Sequence, residues 1–168
     1  MPDQASIHVA CIQLNSGSDQ HANLARVSTL MEEASGQRCD LILLPEDFSF
    51  MGSNESGKLA VAEEQESSSL LRFLSDQACK HQTVIVGGTI PLKAGGGNKV
   101  RNSCPVFSPD GRLISCYDKI HLFDVTLPDE NYCESDTTEA GSLPETVSFD
   151  HWKIGLSICY DLRFPELY

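Results

Sequence analysis

The stretch KIGLSICYDLRFPELY, residues 153–168, organises the reading of this chain. Ile154-Gly155-Leu156-Ser157-Ile158 reads as an apolar strand that delivers Cys159 at its end. A polar elbow follows, Tyr160-Asp161-Leu162-Arg163, and then Phe164-Pro165-Glu166, which has the look of a helix start. A thiol at a strand-to-turn junction is held rigidly yet faces a cleft. The backbone N–H groups after it are free to point at a developing negative charge, which is the geometry nucleophilic catalysis requires. Taken alone, the stretch fits a buried structural cysteine better, because free Cys is among the most buried residue types. Two other parts of the chain reverse that balance.

Working outward, residues 7–14, IHVACIQL, read as a first strand, and Asn15-Ser16-Gly17-Ser18-Asp19 as a turn rich in helix caps. Leu24, Val27, Met31 and Ala34 fall on one helical face, with Gly36 as a stop. Residues 40–44, DLILL, form a short apolar run of the kind that is covered on both faces; Pro45 ends it and presents Glu46. Residues 51–69 are rich in Gly, Ser and Glu and read as a solvated loop leading into a helix striped by Leu70, Leu71, Leu74 and Ala78. Residues 83–86 form another buried strand, closed by Gly87-Gly88, and the glycines at 95–97 make a hairpin-like link rather than a phosphate loop. Residues 102–107, 108–111 and 112–117 read as strand, turn and strand. From 123 to 144 the chain is polar and irregular, and residues 146–149 and 154–158 pair as the last two strands around Asp150-His151. Strands alternating with amphipathic helices, then a run of strands, predict a layered α/β protein.

The chain has 168 residues, enough for one domain with a real core. Its net charge of −12, from 24 acidic and 12 basic residues, opposes nucleic-acid binding. No run reaches the length of a membrane span, and Met1-Pro2-Asp3-Gln4 lacks the features of a signal peptide. Seven cysteines at irregular spacings point to a reducing compartment, hence cytoplasm, rather than a disulfide framework.

Glu46, Lys119 and Cys159 each follow an apolar strand. Glu46, half-buried after LILLP, suits a general base, and Lys119 in YDKIHL suits the stabilisation of an oxyanion. Each also has a plain reading, a surface loop acid for Glu46 and a solvated edge lysine for Lys119. Together, however, LILLPEDF, YDKIHLFDV and GLSICYDLRFPEL, in that order, resemble the glutamate, lysine and nucleophile segments of the nitrilase superfamily of carbon–nitrogen hydrolases. The likeness also runs through IHVACIQLN, VIVGGTIP and RNSCPVFSPDGRL and covers essentially the whole chain.

That resemblance implies an α-β-β-α sandwich spanning residues 1–168, incomplete at the C-terminus because family members continue well past Tyr168. It implies homodimers or higher homo-oligomers, a small-molecule amide substrate, and hydrolysis with neither metal nor organic cofactor. Glu46 is implied as base, Cys159 as nucleophile and Lys119 as oxyanion partner. Cys133-Glu134-Ser135 matches the family's second glutamate, so Glu134 is implied to orient Lys119 or the substrate amide. His121 and His151 are expected to be structural. CES and CYDLRFPEL look most like the small amidases related to ω-amidase and deaminated-glutathione amidase, which implies Tyr160 and Arg163 as substrate-binding residues. Competing readings are an inactive truncated fragment or assembly partner, an acyl transferase, and a true nitrilase. A metal site from Cys116, His121 and Cys133 lacks the usual ligand spacings and has Lys119 in its midst. A redox-sensor reading of Cys159 lacks an identifiable resolving thiol.

Overall fold

The computed structural model describes residues 6–128 and 130–168, so the reading of Met1 to Gln4 falls outside the described residues. Three apolar runs become neighbouring parallel strands, β1 (Val9–Cys11), β2 (Leu41–Leu43) and β3 (Val84–Val86). Parallel neighbours need crossover connections, and α1 (Gln20–Ser35) lies in the first. The second holds α2 (Gly57–Val61) and α3 (Ser69–His81). Side-chain caps start the two long helices: Asp19 accepts from the Ala22 N–H at 3.1 Å, and Ser68 from the Leu71 N–H at 3.1 Å.

The helices bury Val27, Met31 and Ala34 on α1 and Leu70, Leu74 and Ala78 on α3, while Leu24 and Leu71 are half-buried at the margins. These residues cover Ile42, Leu44 and Ile85 on one face of the sheet. Their alternates, Leu41, Val84 and Val86, point the other way and pack with Val147, Leu156 and Ile158. That second face is therefore covered by the ribbon of β9 (Thr146–Phe149) and β10 (Trp152–Gly155). Helices, a six-stranded sheet and a second β layer stack in the order that the sequence implies for the first three layers of the sandwich.

The rest of the sheet is antiparallel: β4 (Ile90–Lys93), β5 (Val100–Phe107) and β6 (Leu113–Asp118). One edge of β5 pairs first with β4 and then with β3, and its other edge pairs with β6. Between β3 and β4 the chain breaks at Gly87-Gly88-Thr89, and this break grips the residues around Glu46. Gly88 has φ +54°, and a Cβ there would sit 2.0 Å from the Pro45 carbonyl oxygen. Thr89 Oγ1 accepts from the Asp47 N–H at 2.9 Å.

Several sequence expectations need correction. The stretch expected as loop at 51–69 contains α2 and a 3-10 turn, Gln65–Ser67. The stretch expected to be irregular at 123–144 contains a hairpin, β7 (Asp124–Thr126) with β8 (Asn131–Cys133), and a 3-10 turn, Glu134–Asp136. Both lie at the surface, and α2 buries no residue, so neither carries an apolar period. The last strand stops at Gly155 instead of Ile158, because its β9 partner starts at Thr146, opposite Gly155. Phe164-Pro165-Glu166 opens a 3-10 turn, Pro165–Leu167, within the described residues.

Gly88→Ala tests the grip on Pro45. The positive φ and the clash together should destabilise the fold by roughly 3 kcal/mol or more, measured as a lowered urea midpoint at unchanged m. A loss below about 1 kcal/mol would mean that the Pro45 segment moves freely.

Candidate active site

Lys119 leaves β6 with its side chain turned inward and is only 2% exposed. Its backbone is tied on both sides: the N–H donates to the Asn102 carbonyl at 3.0 Å, and the carbonyl accepts from the Gly141 N–H at 2.8 Å. Only glycine allows the second contact, since a Cβ at Gly141 would lie 2.1 Å from the Asp118 carbonyl oxygen. Lys119 Nζ donates to the two Glu134 oxygens at 2.9 and 3.1 Å and to Glu46 Oε1 at 3.3 Å. Glu134 is 6% exposed, and its Oε2 also accepts from the Phe123 N–H at 2.8 Å. Glu46 Oε1 accepts a second bond, from Asn102 Nδ2 at 2.7 Å.

Cys159 opens a 3-10 turn, Cys159–Arg163, at φ +47°, a left-handed conformation uncommon for a residue with a side chain. It lies on the rim of a cavity of about 460 Å³ that Glu46, Gly88 and Thr89 also line, with Leu43, Val86, Ile154 and Leu156 as apolar wall. The structure therefore brings Glu46, Lys119, Glu134 and Cys159 to one place. Tyr160 is half-buried and meets Phe123 and Phe164 edge-on, with ring centroids 5.1 and 5.5 Å away. Arg163 is exposed on the outer side of the 3-10 turn. His121 directs Nδ1 at Asp161, 2.7 Å away, and stacks on Phe164 at 3.7 Å. His151 is exposed in the β9–β10 turn. Asn102 is a site neighbour that the sequence reading missed; its only signal was its position in RNSCPVF, on the strand that pairs with β6 just before Lys119.

The charges set the chemistry. Burial alone would lower the pKa of the Lys119 ammonium, but Glu46 and then Glu134 more than offset it and hold that pKa above the ordinary lysine value. The Cys159 thiol moves the same way for other reasons. Partial burial raises its pKa, Glu46 raises it further, and Lys119 opposes them without prevailing. Two carboxylates around one ammonium leave a net negative site. Such a site keeps the thiol protonated at rest, so a proton acceptor is needed at the moment of attack.

A layered α/β fold here sets a thiol and a carboxylate on one cavity, with a buried ammonium bonded to that carboxylate, an arrangement that suits nucleophilic chemistry of the cysteine type. The carbon-nitrogen hydrolase family matches residues 8–168, and the chain belongs to that family. It is 39% identical over 167 residues to omega-amidase NIT3 of Saccharomyces cerevisiae, covering 96% of this chain and 57% of the relative. It is 40% identical over 167 residues to deaminated glutathione amidase of Synechocystis sp., covering 95% of this chain and 59% of the relative. The crystal structure of Saccharomyces cerevisiae Nit3, a member of branch 10 of the nitrilase superfamily, superposes with a TM-score of 0.83 at 35% identity, covering 96% of this chain and 58% of that one. The chain thus spans a little under three fifths of the length of these relatives. Among the described residues no helix is long and apolar enough to cross a membrane.

The electrostatics make an opposed pair of expectations. Iodoacetamide should alkylate Cys159 with a pH midpoint above the roughly 8.5 of a free cysteine. Glu46→Gln removes a negative neighbour, so that midpoint should fall and alkylation at pH 7 should quicken. A midpoint unchanged in Glu46→Gln, read by peptide mapping across pH 6–10, would place the carboxylate out of reach of the thiol.

Proposed function

We propose that this chain carries the site of an amidase that releases ammonia from a small carboxylic amide through a cysteine thioester. The observation that supports this best is the buried Lys119, bound to Glu134 and to Glu46, the carboxylate that lines one cavity with Cys159. Glu46 accepts the Sγ proton, and the sulfur attacks the amide carbonyl carbon. The carbonyl oxygen becomes an oxyanion beside the Lys119 ammonium. A second donor is the Tyr160 N–H, in the first turn of a 3-10 helix, where N–H groups lack internal acceptors. Collapse breaks the C–N bond, and Glu46 returns the proton to the departing nitrogen. Water, deprotonated by the same carboxylate, then cleaves the thioester to free acid and thiol. Glu134 exchanges no proton in these steps and holds Lys119 in place.

The substrate class we favour is an amide of a dicarboxylic acid derivative. The names of the relatives support it; Tyr160 and Arg163 are proposed as substrate-binding residues from their position after the nucleophile alone, since neither lines the cavity. We further infer one carbon–nitrogen hydrolase domain over residues 1–168, working as a homodimer or higher homo-oligomer in the cytoplasm. Seven free thiols and a net charge of −12 support the compartment and the exclusion of nucleic-acid partners.

Ammonia release and intact mass, followed together after addition of a dicarboxylic monoamide, test the reading. Wild type should gain the acyl mass transiently and release ammonia. Cys159→Ala should do neither, and Lys119→Met should lose about 100-fold or more in rate, as when one oxyanion donor is removed. Ammonia released at the wild-type rate by Cys159→Ala would put the nucleophile elsewhere.

A further inference from the structure

We propose that Asp161 is a positioning residue that sets the lysine segment in register with the cysteine elbow. The inference rests on the reading of Cys159 as nucleophile and Lys119 as oxyanion cation. Asp161 is fully buried and takes no part in the proton transfers above. Its carboxylate receives donors from two segments about 40 residues apart in sequence. Oδ2 accepts from the Tyr117 hydroxyl at 2.7 Å and from the Ile158 N–H at 2.9 Å. Oδ1 accepts from the His121 N–H at 2.9 Å and faces His121 Nδ1 at 2.7 Å. The Tyr117 hydroxyl also accepts from the Ile120 N–H at 3.3 Å, which closes a small ring around the lysine.

The donors bracket the two reacting groups. Tyr117 lies two residues before Lys119 and His121 two after it; Ile158 immediately precedes Cys159 and Asp161 follows two residues later. One carboxylate thus holds both flanks of the ammonium segment against both flanks of the nucleophile. The Ile158 N–H bond keeps Ile158 extended, and the chain then turns through Cys159 at φ +47° to bring the carboxylate back over its own elbow. Burial alone would raise the Asp161 pKa, but bonds from Tyr117, Ile158 and His121 outweigh it and hold that pKa below the ordinary value, so the anion is the form these donors bind.

Asparagine does not substitute for this group. The Ile158 and His121 N–H groups sit on different oxygens, so either orientation of an amide sets its NH₂ against a backbone N–H. Asp161→Asn should therefore free the elbow from the lysine segment while changing neither reacting group.

The test compares two reactions of one thiol. Acylation by p-nitrophenyl acetate forms an S–C bond, expels p-nitrophenolate and needs the oxyanion partner. Alkylation by iodoacetamide needs only the thiolate and access to it. Their ratio cancels any change in thiol ionisation caused by losing the Asp161 charge. In Asp161→Asn the ratio should drop about tenfold or more, the scale on which small misplacements act, with Cys104, 5% exposed, still protected from alkylation. Both rates changing in parallel would reduce Asp161 to a stabilising residue and overturn the proposal. If Asp161→Asn unfolds and exposes Cys104, Tyr117→Phe takes its place. That change deletes one donor and leaves the carboxylate, and the ratio should fall about threefold; an unchanged ratio overturns the proposal equally. A wild-type chain that is alkylated at Cys159 but never acylated would sink the thioester mechanism itself, a failure visible before any substitution is made.

Discussion

An ammonium that is 2% exposed keeps its charge only if anions replace the water it has lost, and the architecture of this site follows from that requirement at Lys119. Glu134 supplies two contacts and Glu46 a third, and each carboxylate is in turn held by an N–H donor of its own. Removing one member strands the others, and leaving a buried charge without its partner typically costs about 3–5 kcal/mol. The need for Glu134 accounts for the β7–β8 hairpin, which carries the chain out and back so that residue 134 returns beside residue 119. Phe123 and Glu134 close that excursion with two bonds, Glu134 N–H to the Phe123 carbonyl and Phe123 N–H to the Glu134 carboxylate.

The same cluster constrains how the thiol can work. Partial burial and then Glu46 raise the pKa of Cys159 against the opposing pull of Lys119, so a resting thiolate is disfavoured. The proposed mechanism follows this balance, with proton transfer to Glu46 during attack in place of a preformed cysteine–cation ion pair. Two of the five non-glycine residues with positive φ among those described lie at this site, the other three being Arg38, Gln82 and Asp150. Asp47, directly after Glu46, and Cys159 both have positive φ, at 54° and 47°. Both turns are held by bonds from other segments, Asp47 by Thr89 and the Cys159 elbow, through Asp161, by Tyr117 and His121. Conformations of this kind persist where the surroundings over-determine them.

Much of the scaffold was legible in the chain because burial leaves a period in sequence. Val27, Met31 and Ala34, or Leu70, Leu74 and Ala78, can be read as helix faces before any coordinate is known, and each of them is buried against the sheet. The surface elements were not legible. Helix α2 and strands β7 and β8 bury almost nothing, so their order comes from local turns and pairing that carry no apolar pattern. The end of the last strand was misplaced for a related reason: LSI is apolar because Leu156 and Ile158 pack into the core, and apolarity does not reveal where a ladder partner stops.

By itself the sequence determined the layered α/β class, the helix faces, the turn at 108–111 and the residue types set at the ends of the apolar runs. These follow from local propensity and from a burial period that any chain displays in one dimension. Only the tertiary structure decided that Asn102 braces Glu46, that the break at Gly88 seats Pro45, and that Asp161 joins the lysine and cysteine segments. Those contacts link residues about 40 to 60 positions apart through single hydrogen bonds or one close approach. Neither leaves a periodic trace, because each depends on how the strands are ordered in the sheet and not on the residues beside it in the chain.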